Sequence, residues 1–312
     1  VLYGKIVLAF NSAFMIQNVF QSFFITAEKP KLGLIITVIA GCTNIVLDAL
    51  FMAVFNWGIK GAAVATGISQ TVGALIPIGY FILPNNSLLK FTKPKFDIKA
   101  ILKACGNGSS ELMSNISSSI VSIVYNFQLM KYIGENGVAA YGSIMYVNFI
   151  FAAIFFGYSI GSAPIISYHY GAGNHDELKN LFRKSLTLIS IWGVMLAVAA
   201  QLLAAPLSRL FVGYDAELFA MTVNGFRIYC IVFLINGFDI FGSSFFTALN
   251  NGILSATISF LRTLLFQVGS LLILPIFFGI NGIWSAVIVA EILTLIITVT
   301  FFIKYRIRYH YA

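Results

Sequence analysis

Seven ionisable side chains fall in stretches that are otherwise almost entirely apolar: Asp48, Glu111, Asp239 and Glu291, with Lys5, Arg227 and Arg262. An ionised group at the centre of a bilayer costs about 2.5 to 3.5 kcal/mol on insertion scales, so each of these is a candidate site. Asn44 and Asp48 are four residues apart, which puts a carboxamide and a carboxylate on one helical face. Thr66, on the next apolar stretch, enters at the same outer level. Carboxylate, amide and hydroxyl oxygens are hard ligands suited to Na⁺ or to a hydrogen-bonded proton. Asp48 could equally serve as a satisfied interhelical hydrogen-bond partner. Asp239 lies nine residues before Ala248, about 13 Å from the predicted turn at 1.5 Å per residue. Arg262, ten residues past Gly252, falls at nearly the same depth. At equal depth the two can form a structural ion pair, since buried charges persist mainly when paired. Glu111 is placed one turn inside its predicted helix and is followed by Asn115, Ser118, Ser119, Tyr125, Asn126 and Gln128. A helix this polar is expected to face a cavity rather than lipid. Glu291 would take Arg262 or a hydroxyl as partner, and Lys5 and Arg227, near the outer surface, would snorkel.

The elements that position these groups are membrane helices. Of 312 residues 59% are hydrophobic and 10% charged, with a mean hydropathy of +0.91, outside the range of soluble domains. A span needs about 20 mostly apolar residues. Nine are predicted, at 3 to 26, 33 to 55, 61 to 83, 107 to 132, 140 to 168, 181 to 209, 218 to 247, 253 to 277 and 282 to 304. Two segments repeat 221 residues apart, QSFFITAEKP from Gln21 and GSSFFTALNN from Gly242, with Phe24 over Phe245, Leu50 over Leu271 and Gly58 over Gly279. So long a period is a duplicated bundle rather than a solenoid, and tandem helical halves suggest a transporter. At the matching places the second copy has Leu265, Gly269 and Val287 for Asn44, Asp48 and Thr66, and the first has Asn18 for Asp239.

The net charge of +8 is explained by topology rather than nucleic acid: 13 of the 19 Lys and Arg lie in four alternate segments, 27 to 32, 84 to 106, 168 to 184 and 304 to 312. This predicts a cytoplasmic C-terminus and Val1 outside. Val1 corresponds to Thr222, so three helices equivalent to 107 to 209 are expected upstream, in a protein of six plus six helices. The predicted division is a partial first lobe at 1–83, a cytoplasmic linker at 84–106 and a second lobe at 107–312. In the linker Lys95, Lys99 and Lys103 share one face and Ile98, Ile101, Leu102 and Cys105 another, as in an interfacial helix or a solvated linker. Cys42, Cys105 and Cys230 lack metal spacing and read as packing residues.

The segments NIVLDALF at 44 to 51, SYHYGAGN at 167 to 174 and FFTALNNG at 245 to 252, together with the duplication, resemble the multidrug and toxic compound extrusion (MATE) family, in its bacterial branch. The resemblance covers the chain as the last nine of twelve helices. It implies an all-α membrane protein of two parallel-repeat six-helix lobes, the first truncated to three. It further implies a secondary antiporter that exports organic, cationic or amphipathic compounds in exchange for Na⁺ or H⁺ by rocker-switch alternation. Asn44, Asp48 and Thr66 match the family's lobe-one cation network, which an Asp on the first helix would complete. Asp239 would contribute to a cation or substrate site in the second lobe, with Glu111, Glu291 and Arg262 as further candidates. Tyr125, Asn126, Phe155, Phe156 and Tyr158 are cavity-lining candidates. A flippase for lipid-linked sugars, from the same superfamily, is the alternative; it would need deep basic residues, of which Arg262 alone qualifies.

His169, His175 and Asp176 sit in a predicted cytoplasmic turn where Asn174 or Asp176 can cap the next helix. P-loop, HExxH and CxxC patterns do not occur, so no catalytic residue, cofactor or metal beyond the coupling Na⁺ is expected. The expected partners are a small organic substrate and membrane lipid, with no nucleic acid, for a monomer in a bacterial cytoplasmic membrane.

Overall fold

The computed structural model describes residues 2–84, 87, 89–93 and 96–312. Among these residues all regular structure is helical, in the order α1 (Leu2–Ala9), α2 (Asn11–Thr26), α3 (Pro30–Asp48), α4 (Ile59–Ile82), α5 (Ile98–Tyr132), α6 (Glu135–Gly171), α7 (His175–Val212), α8 (Ala216–Tyr229), α9 (Phe233–Ala248), α10 (Gly252–Phe260) and α11 (Val268–Tyr309). A π-helical turn, Ala49–Val54, follows α3, and a second, Leu261–Gln267, joins α10 to α11.

Two compact units divide the chain, Val1–Phe96 and Asp97–Ala312. The first holds α1 to α4 around a small apolar cluster of Phe20, Phe24, Ala27, Ile36 and Phe81, with Phe24 lying against Gly33. In the second, one continuous core draws on all of α5 to α11. Gly252 permits α10 to meet α5 there, since a Cβ would lie 2.7 Å from the Asn107 Cα. Helix starts follow ordinary capping chemistry: Asp97 accepts from the Lys99 and Ala100 amides, Asn174 from Glu177, Asp215 from Glu217 and Leu218, and Asn251 from Leu254.

Six helical stretches are long and apolar enough to cross a membrane, or seven if α1 and α2, bent by 48°, count as one span. The stretch Gly252–Tyr309 has 58 residues, about 87 Å of helix at 1.5 Å per residue, against a hydrocarbon core of about 30 Å. It breaks at Gly279 and makes two passes. α5 is long enough but too polar to pass on hydropathy. With that break counted the described residues hold seven such stretches, or eight with the bent pair, against the nine expected, and the chain is a multi-pass membrane protein. α5 starts at Ile98, so Lys99 and Lys103 lie in the first turns of a 35-residue helix and not on a separate interfacial one. Lys95 lies outside the described residues.

The duplication is visible in the backbone. Gly58 (φ 56°, ψ −139°) and Gly279 (φ 54°, ψ −132°) share a conformation that only glycine adopts readily, 221 residues apart. The turns after α2 and α9 also match, but one residue out of the expected register. Their left-handed residues are Glu28 and Asn250, 222 apart. The Ala27 and Lys29 amides donate to the Phe23 and Phe24 carbonyls as those of Leu249 and Asn251 do to Phe245 and Phe246. Phe24 therefore corresponds to Phe246 rather than Phe245. A double phenylalanine fits either register by side chain, and the turn's hydrogen bonds decide it.

Candidate functional site

In the first unit α3 carries Asn44 and Asp48 to the face that meets α4. The Asn44 amide donates to the Thr66 hydroxyl at 3.5 Å, and that hydroxyl donates to the Ala62 carbonyl at 2.9 Å. Asp48 is the last residue of α3, directly before the π-helical turn, and is half-buried. Its Oδ1 is shielded from solvent, and no donor among the described residues reaches it. The site is an acid beside a neutral carboxamide and hydroxyl, with oxygens available to a hard cation or a proton.

The second unit assembles its charges differently. Arg262, on the π-helical turn, places Nε 2.8 Å and 3.1 Å from the two carboxylate oxygens of Glu291 on α11, and its terminal nitrogen donates to Asn236 Oδ1 on α9. Asp239, also on α9, is fully buried; Thr298 on α11 donates to its Oδ1 at 2.9 Å, and no donor among the described residues reaches Oδ2. The ion pair is thus Arg262–Glu291, not Arg262–Asp239. Equal depth placed Asp239 and Arg262 together in the sequence, but α11 brings Glu291 nearer to the guanidinium. Asp239 remains within its field.

Glu111 is exposed and lies well inside α5, thirteen residues after Ile98, not one turn from its start. The neighbouring Asn115, Ser118 and Ser119 are exposed too, each donating to the carbonyl four residues back. Of the expected lining residues Asn126 and Phe156 are exposed. Three others pack inward, and that expectation is corrected. Tyr125 is buried and stacks on Tyr141 at 4.5 Å, and the Tyr158 hydroxyl donates to Ser185 at 2.8 Å. The buried Phe155 ring fills the space left by Gly237, where a Cβ would lie 2.6 Å from it. Lys5 and Arg227 are exposed. Asn174, not Asp176, caps α7. Of the cysteines Cys230 alone is buried; Cys42 and Cys105 are exposed, so packing does not account for them.

Asn236 and Thr298 were not singled out in the sequence. Asn236 had a signal, since it precedes Asp239 by three residues and shares its face. Thr298 and the two π-helical turns had none.

The fold defines a multi-pass helical membrane protein in which a helical pattern recurs, with ionisable groups inside both of its units. The MatE family model matches residues 98–273, more than half of the chain, and the chain belongs to the MatE family. It is 24% identical over 295 residues to the multidrug export protein MepA of Staphylococcus haemolyticus, covering 93% of this chain and 63% of that one. The chain therefore spans less than two thirds of that relative's length. It superposes with a TM-score of 0.92 on a crystal structure of MATE in complex with MaL6, at 20% identity, covering 99% of this chain and 69% of that one. With an outward-facing multidrug resistance MATE family transporter of the MOP superfamily the TM-score is 0.91, at 22% identity and the same coverages.

Proposed function

We propose that this chain is part of a secondary active antiporter that exports organic, cationic or amphipathic compounds in exchange for Na⁺ or H⁺. The observation that carries the reading is the grouping of Asn44, Thr66 and the donor-free Asp48 carboxylate in a membrane-spanning bundle. Asp48 is half-buried, and its shielded Oδ1, which no donor among the described residues reaches, is an acceptor that a cation or proton would satisfy. A coupling ion arriving from outside binds there and favours one of two lobe arrangements, by as much as its affinity for them differs. Release of the organic compound outward then accompanies entry of the ion, in a rocker-switch cycle. The protein would work as a monomer in a bacterial cytoplasmic membrane, with its C-terminus cytoplasmic. MepA, by its name a multidrug exporter, supports the same reading. The flippase alternative is disfavoured because Arg262, the deep basic group it would use for pyrophosphate, is neutralised by Glu291.

The test is efflux of a fluorescent organic cation from cells expressing the full-length protein, under an imposed Na⁺ or pH gradient. Gradient-driven efflux is expected, and Asp48→Asn should abolish it without lowering the amount of folded protein. Undiminished efflux in that variant would sink the reading.

A further inference from the structure

The interior of the second unit holds more negative than positive charge. Asp239 and Glu291, 0% and 3% exposed, face a single guanidinium, that of Arg262, and the other titratable groups near the pair are Tyr229 of α8 and Tyr125 of α5. Asn236 and Thr298 complete the contacts and are neutral. With both carboxyls ionised the cluster lacks one positive charge, and a buried ion without a partner is not tolerated for nothing. Arg262 has two acids within its field, Glu291 and Asp239. It holds the first through Nε, while Asp239 receives one hydroxyl and keeps Oδ2 without a donor, with Glu291 as acidic neighbour. Two acceptors side by side require a positive charge, either a proton or the guanidinium. Arg262 can supply it. Its side chain is 20% exposed where that of Glu291 is 4%, and it rises from a π-helical turn, a local widening often found at functional positions.

We propose that Arg262 is a tethered cation shared between Glu291 and Asp239, so that this unit carries one exchangeable proton at whichever carboxyl the guanidinium leaves. In the arrangement seen, Arg262 holds Glu291 and the proton belongs to Asp239. Loss of that proton draws Arg262 across, and return of the proton sends it back. The role of this exchange in transport rests on the antiport reading; its chemistry does not.

Dicyclohexylcarbodiimide, an apolar reagent that modifies protonated carboxyls, tests it on the full-length protein in membranes, read by mass spectrometry without substrate or gradient. Failed efflux and failed exchange are therefore separate results. Asp239 should be labelled and Glu291 spared. In Glu291→Gln the guanidinium passes to Asp239, whose labelling should fall by about tenfold, the shift of a population from mostly free to mostly paired. Adding Arg262→Gln should restore it. A merely structural pair would leave Asp239 labelling unchanged in Glu291→Gln, and that result would overturn the proposal. So would failure of Glu291→Gln to fold, because Asp239 could not then replace Glu291 as partner. Protection of Asp239 when sodium chloride replaces potassium chloride would overturn the proton as the occupant.

Discussion

Asp48 and Asp239 are carboxyls on two copies of one helical bundle, and their surroundings are opposite. Asp48 is half-buried beside a carboxamide and a hydroxyl, and the described residues give it no ion pair. Asp239 is sealed in a core with a guanidinium and a second acid close by. The positions matching Arg262 and Glu291 in the first copy are Gly41 and Gln70, both neutral. Duplication kept the backbone plan and not the chemistry. Among the described residues the first copy's acid has no cationic side chain paired with it, and the second copy's acids lie beside Arg262.

The widest separation between the copies should appear when charges are removed. Arg262→Leu leaves Glu291 and Asp239 buried together with no cation, and breaking a buried pair in this way costs about 3 to 5 kcal/mol. Asp48→Leu removes an acid that has no ion pair to lose, so its stability should change by about 1 kcal/mol or less. Thermal unfolding of the full-length protein in detergent, followed by size-exclusion chromatography, compares them. Equal losses would mean that Asp48 has a buried partner after all.

Where the copies share a conformation, equal effects are expected. Gly58 and Gly279 have the same dihedral angles, and nothing lies within 4 Å of a Cβ added at either. Alanine there meets only backbone strain, about 1 to 3 kcal/mol, and the same in both copies. Unfolding temperatures lowered by different amounts would show that the two kinks are held differently.

The helices, the duplication and the family were legible in the sequence because they rest on long apolar runs and repeated glycines, which need no tertiary contact. Asn44 with Thr66 was legible too, since helical spacing and equal depth sufficed. The partner of Arg262 was legible only as a choice, since Asp239 and Glu291 were both candidates for it. Depth alone cannot distinguish Asp239 on α9 from Glu291 on α11, because the choice depends on how the helices rotate about their axes. Tyr125, Phe155 and Tyr158 were misread for a related reason. An aromatic ring in a membrane helix looks the same facing a cavity or a glycine, and only Gly237 opposite Phe155 reveals which. The one-residue shift between the copies lay in turn hydrogen bonds, beneath a Phe-Phe pair that fits both registers.

A smaller contrast lies in the segments that follow the last helix of each unit. After α4, Phe91 returns to within 6.1 Å of Phe20 but remains 57% exposed. After α11, a left-handed His310 turns the chain so that Tyr311 is fully buried between Phe182 and Phe245, each 4.9 Å away, with its hydroxyl donating to the Phe302 carbonyl at 2.9 Å. Removing that hydroxyl in Tyr311→Phe should cost about 1 kcal/mol at neutral pH. Burial pushes the Tyr311 phenol above its ordinary value. An acid whose folded pKa is raised contributes stability that is complete below its unfolded value, about 10 for tyrosine, and is lost as pH rises toward the folded one. The parent should therefore lose its advantage over Tyr311→Phe above about pH 10, and the two unfolding curves should converge and cross. A stability difference that stays constant through that range would mean that the Tyr311 phenol is not sealed when the protein sits in its membrane.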